Sequence, residues 1–134
     1  MNDLNHYLVE GNLVRDPTLR FTPKGTPICS FSVATNRFFK GEAEIEKEVS
    51  FFDIEAWGSL GETCNNLGKK GRGVRLTGRL KQERWDAKDG SRRSKVVVIA
   101  EHVEWKPEFK KGETRSVPEA GTGNNNQDDT NGEN

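Results

Sequence analysis

The stretch from Phe51 to Trp57 alternates between two kinds of side chain. Its even positions are apolar and two of its odd positions are carboxylates: Phe52, Ile54 and Ala56 against Asp53 and Glu55. Side chains of a β-strand point alternately to its two sides, so this pattern predicts a strand with one face in a protein core. A chain organised around such a segment is expected to form a sheet.

Five segments are predicted to be strands from their alternation and from their content of β-branched and aromatic residues. They span residues 4–14, 28–36, 49–57, 72–84 and 94–103. Residues 38–48 have no clean period and predict a loop or an irregular hairpin end. Residues 86–90 end in Asp-Gly, which is typical of the turn of a β-hairpin.

A short helix is predicted between the third and fourth of these strands. Ser59 can cap its N-terminus, and Gly68 or Gly71 can end it after Leu67. Five strands with one helix in this place, in about 100 residues, match the layout of the OB-fold, a small closed barrel. The predicted fold class is therefore all-β, a five-stranded OB-fold barrel.

The apolar residues of the chain end well before its C-terminus. Phe109 is the last aromatic residue, and beyond it only Val117 and Ala120 are apolar. Such a segment cannot bury enough surface to offset roughly 1–2 kcal/mol of backbone entropy per ordered residue. We predict one folded domain over residues 1–106 and a disordered, polar and acidic tail over residues 107–134.

The sequence carries no feature of a membrane or exported protein. It has no run of about 18 apolar residues, as a transmembrane helix needs, and residues 1–5 lack the pattern of a secretory signal. Cys29 and Cys64 lie far apart in the sequence, which favours reduced thiols over a disulfide. A cytoplasmic protein is expected.

The formal net charge of the chain is +0, but the charges are unevenly distributed. Residues 1–106 carry 18 basic and 15 acidic side chains, whereas residues 107–134 carry 3 and 6. Within the first part, residues 69–95 have a net charge of +8. This excess predicts an anion-binding surface in preference to a merely solvated face, and it does not separate DNA from RNA.

Aromatic residues are predicted on the outer side of the sheet. The alternation directs Phe51 and Trp57 outward, together with Asp53 and Glu55. In the fourth predicted strand it directs one set inward and one outward: Val74, Leu76, Gly78 and Leu80 against Arg75, Thr77, Arg79, Lys81, Glu83 and Trp85. Rings among basic side chains suit single-stranded nucleic acid, whose bases stack on them. The alternative interpretation, a subunit interface, remains open at this point.

Several short motifs occur in the order seen in one known family. They are Gly11-Asn12-Leu13, Asp16-Pro17 with Arg20, Phe51 to Gly58 with Leu60 and Glu62, Lys70-Gly71, Gly78-Arg79-Leu80, and Arg84-Trp85 through Asp89-Gly90. Over residues 4–105 the chain thus resembles the bacterial single-stranded DNA-binding protein family. The resemblance implies an OB-fold that assembles as a homotetramer and binds single-stranded DNA in replication, recombination and repair. We expect no catalysis and no cofactor, and no metal either, because His6 and His102 have no metal-ligand spacing to Cys29 or Cys64.

The resemblance also suggests which residues contact DNA. The stacking residues would be Phe39, Phe51, Trp57 and Trp85, and the matching basic positions are Lys70 and Arg84. Charge and alternation add Arg37, Arg75, Arg79 and Lys81. Asp53 stands where the family often has a basic residue, so DNA contacts there stay open, and the acidic residues of 42–48 are expected to bend away from the DNA.

The C-terminal end of the chain departs from the pattern of the family. Family tails commonly end in an acidic run with hydrophobic residues that dock into replication and repair proteins. This chain has Asp128-Asp129 without a terminal apolar anchor, so recruitment through the tail stays an open expectation.

Two rival functions remain open, an RNA-binding OB module and a nuclease built on a similar barrel. The resemblance implies a location in the cytoplasm at the nucleoid.

Overall fold

The computed structural model describes residues 1–108 as six strands and one helix. The elements are β1 (Tyr7–Leu13), β2 (Thr18–Phe21), β3 (Pro27–Lys40), β4 (Ile45–Trp57), α1 (Ser59–Leu67), β5 (Gly73–Asp86) and β6 (Arg92–Trp105). The predicted tail lies outside the described residues, apart from Pro107 and Glu108. Within the described part of the chain, no helix has the length and apolarity that crossing a membrane requires.

Five of the strands close into a barrel. The sheet order is β1-β5-β6-β4-β3-β2, and β1 also pairs with β3 through Asn12↔Ala34 and Leu13↔Val33. All neighbours are antiparallel except β4 and β6, which run parallel at Ile54↔Val98 and Glu55↔Ile99. The predicted five-stranded barrel with one short helix is confirmed, and β2 is a short additional strand at the edge beside β3.

Residues 38–48 form the end of a hairpin, so of the two predicted alternatives the loop is wrong and the hairpin end is right, with pairing that stays regular up to Lys40↔Ile45. β3 continues to Lys40 and β4 begins at Ile45, so the two strands leave the barrel as a long antiparallel ribbon. Its turn is closed by the Gly41 N–H, which donates to the Glu44 carbonyl at 2.8 Å. Residues 44–49 do alternate, but between glutamate and a mixture of apolar residues and lysine, which hides the period of two.

The core fills the barrel mainly with small and β-branched side chains. Its members are buried and come from every strand of the barrel and from the helix: Val9, Leu13, Cys29, Phe31, Val33, Ile54, Ala56, Cys64, Val74, Leu76, Val98 and Ala100. Cys29 and Cys64 are both unpaired thiols, as expected. Burial raises the pKa of Cys29 to about 11 and that of Cys64 to about 12, so both thiols stay protonated near neutral pH.

Helix α1 packs against β3 and β4 and has the predicted extent. Gly58, and not Ser59, occupies its N-cap, with a φ of 69° that favours glycine. Gly61 allows close approach to the barrel, because a Cβ atom there would lie 2.4 Å from the Ala56 carbonyl oxygen. The helix ends at Gly68, whose N–H donates to the Cys64 carbonyl at 2.8 Å.

A β-bulge changes the alternation of β6. Thr77 pairs with His102 whereas Gly78 pairs with Ala100, so Glu101 is the extra residue. Beyond the Leu80↔Val98 pair, where β6 also pairs with β4, β5 and β6 leave the barrel as a second ribbon. The prediction that Leu80 faces the core is correct in direction, because Leu80 pairs with the buried Val98, but wrong in burial, because this side chain lies at the start of that ribbon and is 41% exposed.

Candidate functional site

Two aromatic rings stand on the outer side of β4. Phe51 pairs with Ala34 of β3 and is 65% exposed, and Trp57 pairs with Ile28 and is 40% exposed. Ile54 between them is fully buried on the core side. The alternation of β4 therefore presents both rings to solvent, as predicted.

The outer sides of β5 and β6 continue this surface. Lys81 pairs with Val97, and the Lys81 Nζ atom lies 6.0 Å from the centre of the Trp57 ring. Glu83 pairs with Lys95 two positions further along. Val97 is buried on this side. We call the surface formed by Phe51, Trp57, Lys81, Trp85 and Lys95 the aromatic face.

Trp85 extends the aromatic face toward the tip of the β5–β6 ribbon. Register pairs run without interruption over residues 78–86, so Trp85 lies on the same side of β5 as Lys81. Trp85 pairs with Arg93 and borders a cavity of about 470 Å³. Arg93 and Lys95 share this side but were not predicted as site residues. The hairpin register set by the Asp-Gly turn is the signal that points to them.

Glu55 is a buried carboxylate beneath the aromatic face. The Trp57 Nε1–H donates a hydrogen bond to Glu55 Oε1 at 3.3 Å, and Arg20 Nη2 lies 3.7 Å from Glu55 Oε2. The prediction that Glu55 projects to solvent is correct in direction but wrong in exposure, which is 6%. Neighbouring side chains cover it, and the hydrogen bond holds the indole ring in place.

Glu83 is a second carboxyl of this surface and lies beside Glu55. Burial raises the pKa of Glu83, and its hydrogen bond with Glu55 and the negative charge of that group raise it further. The Lys95 and Lys81 ammonium groups oppose this rise. Protonation of Glu83 would therefore remove a negative charge from among the basic side chains of the surface.

Two of the predicted basic residues are held in ion pairs on the outer side of β5. Arg75 Nη2 lies 3.0 Å from Glu10 Oε1, and Arg79 Nε lies 3.9 Å from Glu101 Oε2. Lys106 also contacts Glu10, and this contact lowers the pKa of the Glu10 carboxyl. Arg75 and Arg79 are therefore more fully balanced by acids than Lys81 is.

Two further predicted residues lie away from the Trp57 ring. Lys70 is in the loop between α1 and β5, where its backbone N–H donates to Asp16 Oδ1 at 2.8 Å. Arg84 lies on the opposite side of its ribbon from Trp85, and its Nη2 donates to Gln82 Oε1 at 2.8 Å. Neither the Lys70 ammonium group nor the Arg84 guanidinium group therefore lies on the aromatic face.

Phe39 and Arg37 lie on the opposite side of the β3–β4 ribbon from Phe51. Phe39 pairs with Glu46, which is an odd number of positions from Phe51 along β4. The Arg37 guanidinium lies 5.0 Å from the centre of the Phe39 ring and 3.8 Å from Glu48. The predicted residues are thus divided: Phe51, Trp57, Lys81 and Trp85 on one side, Phe39 and Arg37 on the other.

The chemistry available on the aromatic face is stacking and anion binding. Flat rings at Phe51, Trp57 and Trp85 can stack on planar groups, and the ammonium groups of Lys81 and Lys95 can pair with anions. Within residues 1–108, no three His, Cys, Asp or Glu side chains lie close enough to hold a metal ion.

Comparison with known proteins gives consistent matches. The model of the Single-strand binding protein family matches residues 4–105. A single-stranded DNA-binding protein of Treponema pallidum is 42% identical over 104 residues, which are 78% of this chain and 58% of that protein. One of Aquifex aeolicus is 41% identical over 101 residues, or 75% and 68% of the two chains. The chain therefore spans less than two thirds of the Treponema relative.

A solved structure supports the fold assignment independently. A Plasmodium falciparum SSB complex with ssDNA superposes on this chain with a TM-score of 0.73 at 18% sequence identity. The match covers 80% of this chain and 98% of the other. At this identity the likeness establishes the shared barrel.

Proposed function

Because this chain belongs to the single-strand binding protein family, we propose that it binds single-stranded DNA without sequence preference. It would protect unpaired DNA in replication, recombination and repair, without catalysis. The observation that carries this proposal is the Trp57 ring, 40% exposed on the outer sheet face with the Lys81 ammonium 6.0 Å from its centre. A base can stack on the ring while lysine contacts the adjoining phosphate.

The contacts divide between the aromatic face and its surroundings. Bases stack on Phe51, Trp57 and Trp85, and Lys81 and Lys95 contact phosphates. Arg93 joins them by exchanging its ion pair with Asp89, at 3.5 Å, for phosphate. The other predicted residues contact DNA that continues around the molecule. Some of them are exposed and others exchange an acidic partner for phosphate: Arg75, Arg79, Lys70, Arg84, Arg37 and Phe39. Asp53 accepts a hydrogen bond from Ser32 Oγ at 2.8 Å and adds no attraction for phosphate.

Titration of tryptophan fluorescence with poly-dT tests this function. We expect strong quenching at low salt, and log affinity should fall with log salt concentration by about 0.7 for each phosphate contact. Lys81→Gln should make the slope shallower by about one such contact. Unchanged fluorescence at saturating poly-dT would rule out stacking on Trp57 and Trp85, and equal affinity for poly-U would favour the RNA-binding alternative.

The Glu55–Glu83 pair predicts that binding depends on pH. Glu83→Gln removes a charge near Lys81 and Lys95, so poly-dT affinity at neutral pH should rise by about two- to five-fold. The advantage should shrink as pH falls through the raised pKa of Glu83, because the native side chain then becomes neutral as well. Glu62→Gln, in helix α1, is the control, and an equal gain there would refute the explanation.

We also propose that the chain assembles as a homotetramer, as the family resemblance implies. Leu8 on the outer side of β1 is 63% exposed and pairs with Thr77, beside Glu10 and Arg75. An apolar side chain on an outer strand next to charged groups suits contact with a second copy. A mass measurement in solution tests the proposal, and a monomer at working concentration would contradict it.

We also propose that residues 107–134 bind other proteins. This segment has six acidic and three basic side chains, which suits basic surfaces on replication and repair proteins at the nucleoid. The double variant Asp128→Asn, Asp129→Asn should weaken capture of such proteins and leave poly-dT affinity unchanged. Equal capture by the two chains would remove these aspartates from recruitment.

A further inference from the structure

The β3–β4 ribbon has two chemically different sides. Phe38 pairs with Lys47, whereas Phe39 pairs with Glu46 and Arg37 with Glu48. Paired residues of an antiparallel ribbon lie on the same side, and neighbouring residues lie on opposite sides. The two adjacent phenylalanines therefore point in opposite directions.

The side that carries Phe38 is continuous with the aromatic face. Moving along β4 in steps of two leads from Lys47 through Val49 to Phe51, and the corresponding partners on β3 are Phe38, Asn36 and Ala34. Phe38 is 67% exposed and Phe51 is 65% exposed. Two equally accessible rings therefore occupy one unbroken surface.

The charges of the ribbon are also separated by side. Over residues 36–40 and 45–49, the Phe38 side carries Lys40 and Lys47 and no acidic residue. The other side carries Glu46 and Glu48 against Arg37, whose guanidinium already contacts Glu48 and the Phe39 ring. Glu42 and Glu44 belong to the turn. The acidic composition of residues 42–48 therefore conceals a basic surface.

We propose that Phe38 and Lys47 form an additional nucleotide subsite on the β3–β4 ribbon. A base stacks on the Phe38 ring, and Lys47 pairs with an adjoining phosphate of a single strand that continues from Phe51. This inference rests on the proposed binding of single-stranded DNA and extends its path beyond the barrel. A second copy of this chain is a poorer occupant, because a symmetric contact would bring Lys40 and Lys47 of both copies together.

The test compares Phe38→Ala with Phe21→Ala in the full chain. Phe21 is 61% exposed, and it pairs with Pro27, one position from the Ile28 partner of Trp57, so it lies on the other side of the sheet. Loss of one stacked base corresponds to about a five-fold or greater loss of affinity. We expect that loss in poly-dT binding for Phe38→Ala, none for Phe21→Ala, and recovery in Phe38→Trp.

A second measurement addresses the phosphate contact. Lys47→Gln should make the dependence of log affinity on log salt concentration shallower by about 0.7. Solution mass is recorded for every variant. Native affinity in Phe38→Ala overturns the subsite, and so does a loss of affinity that accompanies dissociation into smaller assemblies, since that result assigns the surface to contact between copies.

The outcomes also separate this subsite from the proposed function. If the unaltered chain fails to bind poly-dT, the proposed function itself is wrong. If the unaltered chain binds and Trp57→Ala weakens binding while Phe38→Ala does not, only the additional subsite is wrong. Because Phe38 is largely exposed, its replacement is expected to leave the barrel folded.

Discussion

Trp57→Ala is expected to weaken poly-dT binding by about ten-fold or more. Loss of stacking accounts for about 1–3 kcal/mol. The substitution also removes the indole that covers Glu55 and donates to its carboxylate at 3.3 Å. A negative charge is then left exposed beside Lys81, which weakens the attraction for phosphate. Fluorescence polarisation of labelled poly-dT measures the change.

Two further variants separate the contributions at Trp57. Trp57→Phe keeps a flat ring but removes the N–H donor, so it should retain most of the affinity and lose only the restraint on Glu55. Leu67→Ala is the matched control, because Leu67 is 42% exposed, close to the 40% of Trp57, but lies in α1. Equal affinity of Trp57→Ala and Leu67→Ala would remove Trp57 from the binding surface.

Gly78→Ala is expected to give the largest loss of stability. A Cβ atom at Gly78 would lie 2.1 Å from the carbonyl oxygen of Ile99, so the backbone of β5 or β6 must move. Overpacking of this kind costs about 1–3 kcal/mol and occasionally more. In a domain of this size that corresponds to a melting temperature lower by about 4–8 °C per kcal/mol. Thermal unfolding by circular dichroism measures it.

Gly73→Ala provides the control on the same strand. There the nearest atom to an added Cβ is Lys106 Cδ at 2.8 Å, part of a flexible side chain that can move aside. Its melting temperature should therefore stay near that of the unaltered chain. Equal melting temperatures of Gly78→Ala and Gly73→Ala would show that the β5–β6 contact accommodates a methyl group.

The barrel and its helix could be predicted because their signals are local. Phe52, Ile54 and Ala56 alternate with polar residues, and glycines follow Trp57 and Leu67 at both ends of α1. β2 was missed, since Thr18–Phe21 is only four residues long and is held by pairing with β3. Edge strands of this length depend on a partner that is distant in sequence.

The candidate site was only partly predictable, because its faces depend on register. Phe51, Trp57 and Lys81 follow from alternation within single strands. That Phe38 and Phe39 lie on opposite sides of the ribbon can be predicted only if β3 is known to pair with β4. The mixed composition of residues 44–49 hides the β4 part of this pairing. For Glu55, alternation predicts the direction of the side chain but not its burial. The burial depends on Arg20, Trp57 and Glu83, which come from three different strands.

The parallel contact between β4 and β6 has a consequence for variation in length. These strands pair directly at two positions, Ile54↔Val98 and Glu55↔Ile99. Away from these positions, β4 pairs with β3 and β6 pairs with β5, each in its own hairpin. Residues inserted at the turns 41–44 or 87–91 would lengthen one arm without altering barrel closure. Evolution can therefore adjust the reach of each arm separately, while the barrel that anchors both remains constant.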